Sequence, residues 1–213
     1  MSTVLIIGAS RGIGYETVRL ALKDGHSVRA MARSANVIRL HHPKLEKLDG
    51  DALDQHTIEG AVAGVDAVIQ TLGVSPTPEL IFSGTRLFSD TTRILVNAME
   101  ARSVKRLICV TGLGAGDSRG HGGLLYDAVL WLILGRIYAD KDAQERIVRR
   151  SRLDWTIVRP TVLTNGPRTG ACRVLVDAHD WRSGSISRAD VADFLVRQIN
   201  DASLVRKKPV LTR

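Results

Sequence analysis

The chain alternates short apolar runs with longer amphipathic stretches. Val4 to Ile7 is apolar but too short for a helix, and it stops at Gly8; apolar periodicity resumes after Gly14 with Val18, Leu20, Ala21 and Leu22. This predicts a buried strand feeding a helix. Gly25 caps that helix, and His26 to Ala32 predicts a second strand that ends at Arg33. Leu45 to Leu48 predicts a third strand, followed by a helix with Ile58, Ala61 and Val62 inward. Asp66 to Leu72 predicts a fourth, and Val74 to Gly84, with Pro76 and Pro78, a loop. A long amphipathic helix from about Arg86 to Ala101 leads to a fifth strand, Lys105 to Thr111, and Arg152 to Pro160 predicts a sixth. Ile186 to Ile199 reads as a helix with Ser187 as N-cap and Asp190 at the capping-box position, burying Val191, Phe194, Leu195 and Gln198. Pro209 to Thr212 predicts an edge strand.

Strands alternating with helices predict an α/β domain with a doubly wound, mostly parallel sheet in the order 3-2-1-4-5-6 plus short extra strands. Residues 1–213 are expected to form this one domain, with 161–213 as a small region on its substrate side. The turn after the first strand reads GASRGIG. Gly8 permits the tight turn, Gly12 lets the backbone approach a pyrophosphate, and Gly14 lets the helix lie against its strand. The first helical N–H groups then face an anion with the positive end of the helix dipole behind them. The plain alternative is a tight strand-to-helix turn without a ligand.

At the end of the second strand, NAD-binding proteins carry an acidic residue roughly 20 residues past the glycines. Here the chain offers Arg33, Ser34, Ala35 and Asn36, with Arg11 in the turn itself. Two guanidiniums and no carboxylate favour NADP(H), whose extra phosphate they suit. The alternative for Arg33 is an ordinary surface arginine.

Other classes recede on composition. The longest apolar run, Leu124 to Ile137, is interrupted by Asp127, Gly135 and Arg136, so no membrane span is expected, and a first strand starting at once predicts a cytoplasmic protein without a signal peptide. Cys109 and Cys172 lie in strand-like runs without paired spacing, and the six histidines show no ligand pattern, so reduced thiols and no metal are expected. A net charge of +8 suits polyanions, the phosphates of a dinucleotide included. The cluster Arg146, Arg149, Arg150, Arg152 has the spacing of a solvated helix face, and no recognition motif supports nucleic-acid binding.

The GxxxGxG spacing, with Ser10, Arg11 and Ile13 at their positions, resembles the short-chain dehydrogenase/reductase superfamily. The best fit is its atypical branch of NmrA-like proteins and small flavin/biliverdin reductases. The I-S-R-x-D-V-A run of the helix from Ile186 resembles extended and atypical members. The resemblance implies that Asp51, with Ala52 beside it, meets the adenine, Asp54 being the better helix cap. It implies that Thr71, Leu72 and Gly73 form the turn passing the cofactor ribose, and that the strand closing on Arg159 and Pro160 leads into the nicotinamide pocket.

Ordinary members carry a serine after the fifth strand and Tyr-x-x-x-Lys on the next helix. Here Thr111 and Gly112 stand where the family writes two serines, Tyr126 is followed four residues on by Leu130, and Tyr138 by Asp142. Lys141 falls three after Tyr138, about 100° around the helix from the family's lysine. In the related branch a lysine at the start of this helix contacts ribose or steers a proton. The alternatives are an exposed Lys141 paired with Glu145, and a Tyr138 that is only a packed aromatic.

Hydride transfer to a flavin, quinone or similar planar acceptor needs no tyrosine, because such acceptors take a proton from solvent. The expected function is therefore NADPH-dependent reduction of a small planar acceptor, with Thr111, Tyr138 and Lys141 as candidate catalytic residues. The glycine-rich segment Gly112 to Gly123 is the expected mobile lid, with Ser118 or His121 as polar contacts. The rival is a non-enzymatic NADP-binding redox sensor. A nucleotide-sugar epimerase or dehydratase is disfavoured by the missing motif and short second half. Monomer and homo-oligomer both stay open.

Overall fold

The computed structural model describes every residue except Pro76, and for 124–127, 129 and 130 it describes backbone alone. The expectations for Pro76 and for the side chain of Tyr126 lie outside the described residues. The chain opens with β1 (Thr3–Ile7), α1 (Gly12–Lys23), β2 (Ser27–Ala32), β3 (Leu45–Asp49), α2 (Gln55–Val62) and β4 (Ala67–Gln70). It continues through α3 (Pro78–Ser83), α4 (Leu87–Ala101), β5 (Arg106–Val110), α5 (Leu124–Arg150) and β6 (Asp154–Pro160). The last third adds β7 (Val162–Thr164), β8 (Arg173–Leu175), β9 (Ser185–Ser187), α6 (Arg188–Arg197) and β10 (Val210–Thr212).

The main sheet runs β3-β2-β1-β4-β5-β6-β10-β8. All its pairings are parallel except β10 with β8. This contains the expected six-strand order, in the doubly wound α/β arrangement. Because successive strand residues face opposite ways, β1 feeds two cores. Val4 and Ile6 pack with Val18 and Ala21 of α1 and Val191 and Leu195 of α6. Leu5 and Ile7 pack with Ile58 and Val62 of α2, Leu95 and Met99 of α4 and Val148 of α5. Burial on both faces explains why these strands read as continuous apolar runs.

Several expectations change. β10 is not an edge strand: β8 pairs with its outer side, and β7 pairs with β9 in a separate small sheet. Three-residue strands carry too few positions for a period to show. The segment expected as a loop from Val74 contains α3, whose first turn is capped by the Thr77 hydroxyl with Pro78 at the start. Cys172 lies just before β8 rather than in a strand. Asp54 does cap α2, accepting from the Thr57 N–H at 2.9 Å, and Ser187 caps α6, accepting from the Asp190 N–H at 3.0 Å. Arg146, Arg149, Arg150 and Arg152 are exposed.

One charged contact ties the second half together. Arg159, on β6, is fully buried, and its Nε donates to Oε1 of Glu145 on α5 at 2.9 Å. Its Nη2 donates to Asp117 at 2.6 Å and also pairs with Glu145; Lys208 pairs with the other Asp117 oxygen. Removing one partner of a buried pair strands the other charge. Glu145→Ala is expected to lower the unfolding free energy by about 3–5 kcal/mol, and Glu145→Leu combined with Arg159→Met to recover most of that in chemical denaturation.

Candidate functional site

The carboxyl ends of β1 to β4 converge on the turn after β1, at the point where strand order reverses. Met31 O of β2 accepts from the N–H groups of Gly8 and Ala9, both at 3.1 Å, so turn and neighbouring strand are joined. Gly8 has φ +87° and Gly12 φ +59°, conformations that disfavour other residues. A Cβ on Gly14 would collide with the Gly8 carbonyl and lie 2.6 Å from Oγ1 of Thr71. That Oγ1 donates to Ile7 O at 2.8 Å, so the Thr71 side chain locks β4 to the end of β1. Ile13 is buried beneath the turn, Ser10 is half-buried and Arg11 exposed. No side chain caps α1, and its first turn has no acidic residue, so neither a cap nor a carboxylate competes with an anion for its leading N–H groups.

Around this turn lie the other expected contacts. Arg33 is exposed at the end of β2, and the loop after it is fixed by the Asp49 carboxylate, which accepts from the Ala35 N–H at 2.6 Å. Asp51 is exposed and accepts from the Leu53 N–H at 3.0 Å, with Ala52 buried beside it. Leu72 is half-buried and Gly73 exposed, next along the rim. The cradle fits a dinucleotide, because Gly12 adds no side chain to the open space beside the turn and the start of α1 supplies donors.

Further along the same edge, Thr111 and Gly112 follow β5. The Thr111 hydroxyl donates to Glu145 Oε1 at 2.8 Å, so its proton points into the protein. Lys141 Nζ donates to Thr111 O at 3.0 Å and lies 4.3 Å from the centroid of the Phe88 ring. Burial pushes the Lys141 amine down to about 8, against the carboxylates of Glu145 and Asp140, which favour its charge. Lys141 sits inside α5 rather than at its start, and Glu145 is taken by Arg159 and Thr111, so the alternative of an exposed Lys141–Glu145 pair does not form. The Tyr138 hydroxyl lies 2.8 Å from where a Cβ on Gly112 would stand, and its ring meets Trp131 edge-on. Pro160 ends β6 behind this point, its carbonyl accepting from the Leu113 N–H at 3.1 Å.

The expected lid is pinned over much of its length. Leu113, Ala115 and Ser118 are fully buried. The Ser118 hydroxyl bonds Gly114 N and Ala115 O, and the Asp142 carboxylate accepts from the Gly116 N–H at 2.6 Å. Gly116 passes so close to Glu145 and Arg159 that no side chain fits there. His121 packs edge-on against Trp181. Sequence reasoning missed this support, and it missed Asp140, which caps α4 from α5 by accepting from the Phe88 N–H at 2.8 Å and so sets Phe88 beside Lys141. An Arg inside the apolar run of β6 was the available signal, since a buried charge needs a partner.

Among the described residues no cluster of His, Cys, Asp or Glu is arranged to hold a metal ion, and no helix is long and apolar enough to cross a membrane. Cys109 is free and buried, its thiol pushed up to about 12 by burial. Gly14→Ala is expected to destabilise the fold by about 1–3 kcal/mol through overpacking, and to weaken dinucleotide binding at least tenfold, read by thermal unfolding and calorimetric titration.

Known proteins share this fold. A Bacillus subtilis (strain 168) protein named as an uncharacterized sugar epimerase, YhfK, is 30% identical over 206 residues, covering 93% of this chain and 88% of its own. The structure of ChuY from Escherichia coli O157:H7, described as an anaerobillin reductase, superposes with a TM-score of 0.80 at 26% identity, covering 99% of this chain and 96% of that one. A short-chain dehydrogenase/reductase from Veillonella parvula DSM 2008, solved with NADP, shares the fold with a TM-score of 0.79 at 18% identity, covering 100% of this chain and 95% of that one. The model of the NAD(P)H-binding family matches residues 8–202, and with the glycine cradle and the sheet around it this chain is a member of that family.

Proposed function

We propose that the protein is an NADPH-dependent oxidoreductase that reduces a small planar acceptor, such as a flavin, quinone or related conjugated carbonyl, without the serine, tyrosine and lysine triad. The observation that carries the reading is Lys141: an amine held at Thr111 O, beside Phe88, with its pKa brought down to about 8. Such a group is a proton donor near neutral pH, held at a fixed position where solvent would otherwise supply the proton.

Gly8, Ser10, Gly12, Ile13 and Gly14 form the pyrophosphate cradle, and Arg11 and Arg33 serve the ribose phosphate. Asp51 and Ala52 face the adenine, and Thr71 to Gly73 the ribose. When bound, reduced nicotinamide supplies a hydride. Lys141 holds the proton at Nζ for the acceptor, and the half-buried Tyr138 offers an aromatic wall for a flat molecule. Thr111 acts through its carbonyl, because its hydroxyl is spent on Glu145. The likeness to a protein described as an anaerobillin reductase supports reduction of a conjugated acceptor. That inward-turned hydroxyl also favours the second reading, a redox sensor that binds NADP without turnover.

A panel of flavins, quinones and aldehydes mixed with protein and NADPH is expected to show absorbance loss with at least one conjugated acceptor; a silent panel leaves the sensor reading. Turnover is expected to fall as pH rises through about 8, where Lys141 gives up its proton. Lys141→Met should remove that limb and slow the reaction roughly 100-fold or more. Arg33→Ala should weaken NADPH at least tenfold and NADH little, as measured by fluorescence titration; equal losses would take the arginine away from the phosphate.

A further inference from the structure

The region around the glycine turn carries more positive charge than the free protein neutralises. Arg188 is the first residue of α6, and its Cδ and Nε lie 3.8 and 3.7 Å from where a Cβ on Gly12 would stand. Gly12 therefore leaves open the space that the Arg188 side chain borders. A cation at a helix N-terminus opposes the helix dipole, and here the N-terminus of α1 adds a second positive pole alongside. Arg188 has a neutral partner, the Asn165 side-chain oxygen, at 2.8 Å.

Its neighbours are differently placed. All three arginines line one open cleft of about 470 Å³ with Gly12. Arg19 is paired with Glu16 at 2.7 Å and Arg168 with Asp193 at 2.9 Å. The carboxylate in the first turn of α6, Asp190, is turned to Ser187, Thr169 and Gly170. Among the described residues no carboxylate lies within ion-pair distance of Arg188, Arg11 or Arg33. Three guanidiniums without a carboxylate partner thus belong to the turn or to the segments beside it, and Arg188 reaches it from the start of α6.

We propose that Arg188 clamps the pyrophosphate of the bound dinucleotide from the α6 side, exchanging the Asn165 oxygen for phosphate oxygens. Asp190 fixes the loop at Thr169 and Gly170, and so holds the cleft wall from which Asn165 presents its oxygen. The inference rests on the reading that the dinucleotide lies along Gly8 to Gly14. It assigns Arg188 to a group that NADPH and NADH share, unlike Arg33.

The test is titration of wild type, Arg188→Ala, Arg188→Lys, Asn165→Ala and Arg33→Ala with NADPH, NADH and ADP-ribose. Arg188→Ala is expected to weaken all three by a similar factor, about tenfold to hundredfold, as loss of a charge-assisted contact implies. Arg188→Lys should fall between it and wild type, and Asn165→Ala should cost much less than Arg188→Ala. Thermal unfolding checks that each variant is folded, with Arg188→Gln replacing the alanine if it is not. Affinities within twofold of wild type would overturn the proposal. So would a loss confined to NADPH, or an Asn165→Ala loss equal to that of Arg188→Ala, which would trace the effect to the loop. A wild-type protein that binds neither dinucleotide would instead overturn the cofactor reading itself.

Discussion

Arg159 enters the interior of the molecule with its charge, and the carboxylate of Glu145 is what allows it to stay there. Around that pair the second half of the protein takes shape. Glu145 also receives the Thr111 hydroxyl, so the end of β5 is fixed to α5. The segment that leaves β5 crosses directly above the two charges, with Gly116 at the tightest point and Asp117 completing the guanidinium's partners. A neutral core here would pack more cheaply, because desolvating two ions is costly. What the ions add is direction: their hydrogen bonds accept one arrangement of strand, helix and loop, where apolar packing would tolerate several. One guanidinium nitrogen, Nη1, is buried without a hydrogen-bond partner among the described residues.

The two working regions depend on different physics. The cofactor side is made of backbone: absent side chains at three glycines, donors at the start of α1, and a carbonyl of β2 that fastens the turn. Its precision comes from sheet pairing. The proposed acceptor side is made of side chains on α4 and α5, and its precision comes from contacts between those helices, above all the capping of α4 by Asp140. Both regions meet along one sheet edge because β1 and β5 flank β4. A dinucleotide lying across the first therefore extends its far end toward the second.

This division explains what could be read from the sequence. Glycine spacing, buried strands and helix caps are local, so the six-strand order, the Asp54 cap and the Ser187 cap were legible from patterns a few residues long. The positions of Lys141 and Tyr138 along α5 were legible too, but their surroundings were not. Lys141 meets Thr111, 30 residues before it in the chain, while the Glu145 carboxylate is held by Arg159 from the next strand, and neither contact shows in the pattern of α5 alone. The glycine-rich segment after β5 was misread for the same reason. Its composition suggests freedom, while its buried Leu113, Ala115 and Ser118 and its bond to Asp142 remove it. Three-residue strands such as β8 exist only because a neighbour is there to pair with, and so they leave no trace of their own.

The hydroxyl of Tyr138 occupies the volume that a side chain on Gly112 would need. The two positions are thereby interdependent, and their substitutions do not have separate effects. A serine introduced at 112 alone meets the phenol before it meets any substrate, whereas removing the phenol first leaves a gap with nothing to fill it. A side chain at 112 is therefore admitted only where the phenol's end shifts, so a change at one position is felt first at the other.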